Sequence, residues 1–430
     1  MAFSLAGIVR CTGCQWHKRQ GSQNVHALGL AYTPVSVDTI PMQYQRIWWC
    51  WALGSTLAAA ACGGSGGAGD NRATDLGIVS DPEVHERTSY ALAQARYRWV
   101  DRHQYKPDDG FVHAFAYGDF NADSREDALV FSGQFLSADP NPARLTLDID
   151  GTPVDGASTF TEVPGGIHPR KLLVGDLNGD GDDDAVLIDH GFDRDPYPGA
   201  PVVYLMSDGA GGLSTSVDDA LIGFHHAGAL GDFDNDGDLD LFLGSSPWQE
   251  RPHLLLENDG NGVMTETRRL VGGHWQTNIW ASEFLDLDGD GFLDLLIGGS
   301  NSEGATKILW GSSRGSYGDD VSELGITDLE TYDFDAEDFD GDGDRDLLVT
   351  LADLQMNRTT LRLFRNAGGR NLVDETSSSF DTPSHDGFWI DFSFVRDVDS
   401  DGDLDILADD WGNRLSWLNE GGVFQKQQVR

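Results

Sequence analysis

Four aspartates, Asp232, Asp234, Asp236 and Asp240, stand within nine residues of the stretch GDFDNDGDLDLFLG (231–244), and an apolar run follows directly. Carboxylates this close repel one another by about 1 kcal/mol or more per pair, so the spacing calls for a cation among them. The same core recurs as DFNADSRED from Asp119, DLNGDGDDD from Asp176, DLDGDGFLD from Asp286, DFDGDGDRD from Asp338 and DVDSDGDLD from Asp397. Positions one, three and five of such a loop can turn oxygens toward one centre, glycine at position six permits the sharp turn, and position nine returns a carboxylate. The expected ligands are therefore Asp119, Asn121, Asp123 and Asp127; Asp176, Asn178, Asp180 and Asp184; the four aspartates above; Asp286, Asp288, Asp290 and Asp294; Asp338, Asp340, Asp342 and Asp346; and Asp397, Asp399, Asp401 and Asp405.

Position seven varies from Arg125 to Phe292, which is tolerable only if that residue offers its backbone carbonyl alone. All-oxygen ligation by several carboxylates favours Ca²⁺, up to six ions, over Zn²⁺; Mg²⁺ prefers to keep several waters. An EF-hand is excluded because position twelve is apolar in most copies, as at Leu243, where a bidentate Glu is required. The first copy is the weakest, with Ser124 in place of glycine and Asn121 in place of a carboxylate.

The six cores start 57, 56, 54, 52 and 59 residues apart, the differences between the start positions given above. An alternating or apolar segment precedes each loop (VHAFAYG, RKLLVG, HAGALG), and a short apolar run follows it (ALVF, AVLI, LFLG, LLIG, LLVT, ILAD). Runs this short, bounded by turn residues, read as strands buried on both faces. A third strand (TLRLFRN, RLSWLNE), a glycine-rich turn (NDGNG, SDGAGG, NAGG) and a fourth strand complete a four-stranded antiparallel meander. Six meanders apolar on both faces can cover those faces only by stacking on one another, and radial stacking gives an all-β β-propeller of six blades over 111–430. Residues 76–110 read either as a helix or as a degenerate seventh blade.

These repeats resemble FG-GAP or VCBS-type repeats, the calcium-loop blades of the integrin α-subunit propeller and of many bacterial surface proteins. The likeness covers 111–430 and is specific in the loop; G-D-F or G-D-L survives at Gly118, Gly175 and Gly231, while the other signatures that name the family are mostly absent. It implies the propeller fold and calcium, and no particular partner.

The 430-residue chain carries 29 Lys and Arg against 71 Asp and Glu, a formal net charge of −42, with 39% hydrophobic residues. That balance argues against nucleic acid or anionic lipid as partner, since both demand clustered basic residues. Cys11, Cys14, Cys50 and Cys62 all precede the repeats, and Cys11, Cys14 and His17 lack the spacing of a haem or zinc motif. From Met42, Arg46 and the apolar run 47–61 read as a signal peptide, making 1–41 an over-extended start. Ala59-Ala60-Ala61-Cys62 resembles a bacterial lipobox, which implies lipidation of Cys62, a flexible linker over 62–75 and an outer-membrane lipoprotein; secretion is the alternative. The only membrane contact expected is through that anchor.

No H-E-x-x-H or P-loop signature occurs. The sequence therefore favours a non-catalytic scaffold binding protein or carbohydrate at the propeller face, with a polysaccharide-acting enzyme as the alternative. Near the start of each first strand stand His113, His168, His225 with His226, Trp280, Tyr332 and Trp389, amphipathic rings suited to stacking on sugars.

Overall fold

The computed structural model describes residues 111–133, 137–149, 151–246, 253–272, 278–300, 306–327, 329–356, 358–385, 393–396, 401–408 and 415–428. The leader, Cys62, the linker, segment 76–110, Asp397, Asp399 and Trp389 lie outside the described residues, and of His113 only the backbone is described.

Among the described residues there are six successive antiparallel sheets of four or five strands, each following chain order from its first strand outward, and a two-stranded one that pairs Asn141–Pro142 with Gly165–Gly166. The first strands are Phe111–Gly118, Pro169–Gly175, Ala227–Gly231, Ile279–Leu285, Glu330–Glu337 and Ser393–Arg396. The second strands are Asp127–Gly133, Asp184–Asp189, Asp240–Gly244, Asp294–Gly299, Asp346–Asp353 and Asp405–Ala408. Two further strands complete each sheet, and the fifth gains a short extra strand, Ser384–His385, on its third. The acidic core is the hairpin loop between first and second strands: Gly231 pairs with Asp240, and Glu337 with Asp346, so position nine opens the second strand.

The second strands are buried along nearly their whole length, as in DALVFSG and DLLIGG, which is why they read as uninterrupted apolar runs. Alternate side chains serve different neighbours. Leu241 and Leu243 join a core with Leu173, Val186 and Ile188 of the second sheet, while Phe242 joins Phe284, Leu295 and Ile297 of the fourth. Equivalent cores link sheets one to two, four to five, and five to six. The first strands of consecutive sheets lie beside one another throughout the series.

Close sheet approach also explains one glycine of the G-D-F motif, since a Cβ on Gly231 would stand 2.9 Å from Cβ of Phe284 in the next sheet. Adjacent sheets are further tied by asparagines that end third strands. Asn366 donates to Leu287 O of the preceding sheet at 2.8 Å and to Arg345 O at 3.0 Å, and Asn258 does the same to Leu177 O and Leu239 O. The turns NDG and NAG thus carry buried links between sheets.

Candidate functional site

Backbone amides wind the acidic loops around their own carboxylates. In the third loop Asp232 accepts from Asp236 N at 3.0 Å and Gly237 N at 2.9 Å, and Asp236 accepts from Asp238 N. The same pattern holds in the loops from Asp286 and Asp338. The turn needs positive φ at position six, where Gly237 has φ 101°, and also at position four, where Asn235 has φ 58° and Gly289 73°. In the first loop Ala122 (φ 58°) and Ser124 (φ 60°) adopt these angles without glycine.

Three loops gather ligand oxygens within 4.8 Å of one another: Asp232, Asp234 and Asp240; Asp286, Asp288 and Asp290; Asp338, Asp340 and Asp346. Position nine does two jobs. Asp240 is 1% exposed; its Oδ2 accepts from Phe233 N and its Oδ1 from Asn258 N at the end of the third strand. Asp127, Asp184, Asp294 and Asp346 repeat this arrangement. Burial pushes these carboxyls up, Asp127 to about 6, Asp184 and Asp294 to about 7 and Asp240 to about 8, with neighbouring carboxylates adding to the rise. Carboxyl oxygens gathered at one centre, with a buried position nine among them, form a donor set that fits a hard divalent cation.

Arginines reach several of these loops. Arg269 pairs with Asp234 at 3.0 Å, Arg370 with Asp288 at 2.5 Å, and Arg365 with Asp346. In the first loop Arg125, at position seven, contacts Asp123 at 2.5 Å and Asp148 at 2.7 Å, so there the side chain of that position engages the loop. With one guanidinium on Asp234, the other three expected ligands of the third loop, Asp232, Asp236 and Asp240, could still hold a divalent ion.

A second feature lies at the opposite end of the first strands. Their pairing with second strands slips by one residue at 113, 170, 280 and 332, each a β-bulge six residues before the loop's first aspartate. Bulges re-aim a side chain out of the ladder. Trp280 and Tyr332 meet edge to face at 5.4 Å, and His226, also six residues before its loop, stacks toward Trp280 at 6.4 Å. Arg170, Lys171, His226, Trp280, Tyr332 and Asp333 line one pocket.

Of the side chains that the sequence singled out, His225 is turned away: it is 1% exposed and its ring bonds Leu221 O at 3.0 Å. His168 is also buried, two residues from the equivalent bulge, and Arg170 takes that place in the pocket. Counting a constant six residues back from each loop would have found Arg170 and His226. The Arg170 Nε is shielded from solvent and has no hydrogen-bond partner among the described residues. Gly311–Gly315 spells G-S-S-R-G, the spacing of a nucleophile elbow, but it forms a turn between strands with no helix after it.

No curated protein matches this sequence. Similar solved structures include the V. cholerae biofilm matrix protein Bap1, at 16% identity and TM-score 0.38, covering 66% of this chain and 44% of that one. They also include rhamnogalacturonan lyase YesW (13%, TM-score 0.40, 74% and 58% covered) and exotype rhamnogalacturonan lyase YesX (13%, TM-score 0.40, 75% and 65% covered). The chain thus spans about half to two thirds of the length of these structures. Residues 232–297, 286–349 and 338–408 match the model of the FG-GAP-like repeat, so this chain of stacked antiparallel sheets carries three FG-GAP-like repeats.

Proposed function

We propose that the chain is a Ca²⁺-stabilised β-propeller that binds acidic glycans, without transforming them, in the pocket of Arg170, Lys171, His226, Trp280 and Tyr332. The observation that carries this reading is the position six residues before each loop: the bulges at 170, 280 and 332, with His226 at the same place in the third sheet, bring one side chain from each of four consecutive sheets to a single concavity. Two rings suit the faces of sugars, and a guanidinium with an unpartnered, enclosed N–H suits a carboxylate. Lys171 pairs with Glu283 at 3.9 Å and Asp333 shares the lining, so Arg170 is the cation that would meet an acidic sugar. The stacked sheets close radially, six blades being the count that the repeats support, with Ca²⁺ in the aspartate loops. Export through the leader and a lipid on Cys62 would present the pocket at the envelope.

Binding of the full chain to an array of neutral and acidic oligosaccharides tests the reading. Retention of uronate-bearing ligands, weakened at least tenfold by Arg170→Gln and by Trp280→Ala with Ca²⁺-dependent melting kept, is the expected outcome. Binding of neutral glycans alone, or of envelope proteins alone, would defeat it. A polysaccharide-acting enzyme is the second reading, favoured by His226 and Tyr332 as proton-transfer groups beside Arg170. It requires shortened or unsaturated products from an acidic polysaccharide, which the binding-only reading forbids.

A further inference from the structure

The second sheet holds a group of nitrogen and carboxylate ligands unlike the aspartate loops. His168 precedes the first strand of that sheet, and His190 and Asp193 follow its second strand. One potential ligand atom from each lies within 4.8 Å of the other two. The imidazoles of His168 and His190 are 4.1 Å apart between centroids, both residues are buried, and Asp193 is partly buried.

The backbone is built to hold this group. Asp189, 4% exposed, spends its carboxylate on backbone amides: Ile167 N at 2.7 Å, His168 N at 2.9 Å and Gly191 N at 2.7 Å. One buried residue thereby fixes both histidine-bearing segments against each other. Gly191 has φ 71°, and a Cβ there would collide with Gly199 O, so the chain curls tightly between His190 and Asp193.

The tautomer is also suitable. His190 Nδ1 lies 2.9 Å from Gly191 O, a contact in which the ring nitrogen must donate, leaving Nε2 with its lone pair. A backbone carbonyl accepting from the far nitrogen is the usual outer support of a metal-bound imidazole.

We propose that His168, His190 and Asp193 bind one divalent transition-metal ion of the zinc class, at a site separate from the Ca²⁺ loops. Two imidazoles and one carboxylate match the preference of Zn²⁺ and its first-row neighbours, whereas Ca²⁺ takes oxygen ligands. Ligands about 2.1 Å from a tetrahedral ion stand about 3.4 Å apart, so small side-chain rotations within the 4.8 Å group complete the set. Three protein ligands leave a fourth position for water or a ligand group. His226 stacks on His190 at 4.6 Å and lines the glycan pocket, so the ion would sit one imidazole away from it.

The test uses the full chain, stripped of metal, then saturated with Ca²⁺ to occupy the aspartate loops, and dialysed against Zn²⁺ buffered by a competing chelator. One equivalent of Zn²⁺ per chain by elemental analysis is expected, falling to none in His190→Gln and in Asp193→Asn. Co²⁺ in place of Zn²⁺ should give one visible d–d absorption band in the unmodified chain, absent from both variants. Retention of no Zn²⁺ by the unmodified chain, or equal retention in all three proteins, would overturn the site. Ca²⁺-dependent melting checks that the variants fold, and the stoichiometry of the unmodified chain decides the question even if they do not. Glycan binding is a separate readout, so failure of this site leaves the pocket assignment standing, and the converse also holds.

Discussion

Asp240 accepts the amides of Phe233 and Asn258 and still lies within reach of Asp232 and Asp234, while Asp234 sits at the loop's rim against Arg269. The two aspartates should therefore answer differently to mutation. Asp234→Ala removes one ligand and leaves the hairpin's backbone bonds in place, so it should lower the calcium content by one ion per chain and melt like the unmodified protein in chelator. Asp240→Asn keeps the volume but offers only one accepting oxygen to two amides, so one of them loses its partner. A buried amide left without a partner costs about 1–3 kcal/mol, so this variant should lose stability in chelator as well as in Ca²⁺. Denaturant unfolding of both variants, with and without chelator, checks the contrast; equal behaviour in chelator would mean that position nine is a ligand alone.

Elements are joined by two devices that do not show as hydrophobic pattern. The bulge in the first strand frees one residue from the ladder in four of the six sheets, and the terminal asparagine of the third strand spans to the previous sheet. Asn366 is 3% exposed and bonds Leu287 O and Arg345 O, while its own Oδ1 accepts from Gly368 N. Asn366→Ala takes the partner from one buried backbone group and two partly buried ones, and a loss of about 1–3 kcal/mol is expected, chiefly from the buried Leu287 carbonyl. Thermal unfolding would register it; a change under about 0.5 kcal/mol, the range of ordinary surface substitutions, would show that the link between sheets four and five is incidental. Truncating Trp280 on its bulge should remove Tyr332's ring partner and leave the strand pairing in place, so the near-ultraviolet circular dichroism of Trp280→Ala should change while the far-ultraviolet spectrum does not.

At the scale of the whole molecule the net charge of −42 and the buried carboxyls set how stability depends on pH and calcium. In chelator, Asp127, Asp184, Asp240 and Asp294 have folded pKa values of about 6 to 8, above the usual value near 4. The folded chain then binds protons that the unfolded chain releases, so the contribution is present at low pH and lost as pH rises through about 6 to 8. His168, His190 and His226 are pushed down by burial and act the other way once pH falls below about 6.5. Lowering pH from about 8 to 6.5 should therefore raise the melting temperature of the metal-free chain. With saturating Ca²⁺ the same step should lower it or leave it unchanged, because protons now compete with the ion. Calcium itself should add about 0.4–1.4 kcal/mol per site at about 1 mM, taking dissociation constants of about 10⁻⁴ to 10⁻³ M. Calorimetry in both buffers reads these effects together; identical curves with and without calcium would leave the loops as solvated turns.

The repeat of nine-residue acidic cores, the strand that opens at position nine and the four-stranded order of each sheet were legible in the residues, because spacing, glycine placement and apolar runs are local properties. The packing of alternate faces on two neighbours was legible too, since an uninterrupted run such as DLLIG has no solvent face to give away. Three further features took the tertiary structure to decide. Position nine divides its oxygens between the loop and a strand 18 residues on, as Asp240 does with Asn258, and local pattern says nothing of so distant an amide. Which ring of His225 and His226 faces the pocket depends on strand direction and bulge register, where one residue's slip sends a side chain to the other side. His190 and Asp193 stood in an unremarked loop, and only the folding of that loop against residue 168 through Asp189 made them a group with His168. The physical reason is common to all three: short-range spacing fixes which way a chain turns, while the partners of a buried polar atom are chosen by segments that meet it only after the sheets have stacked.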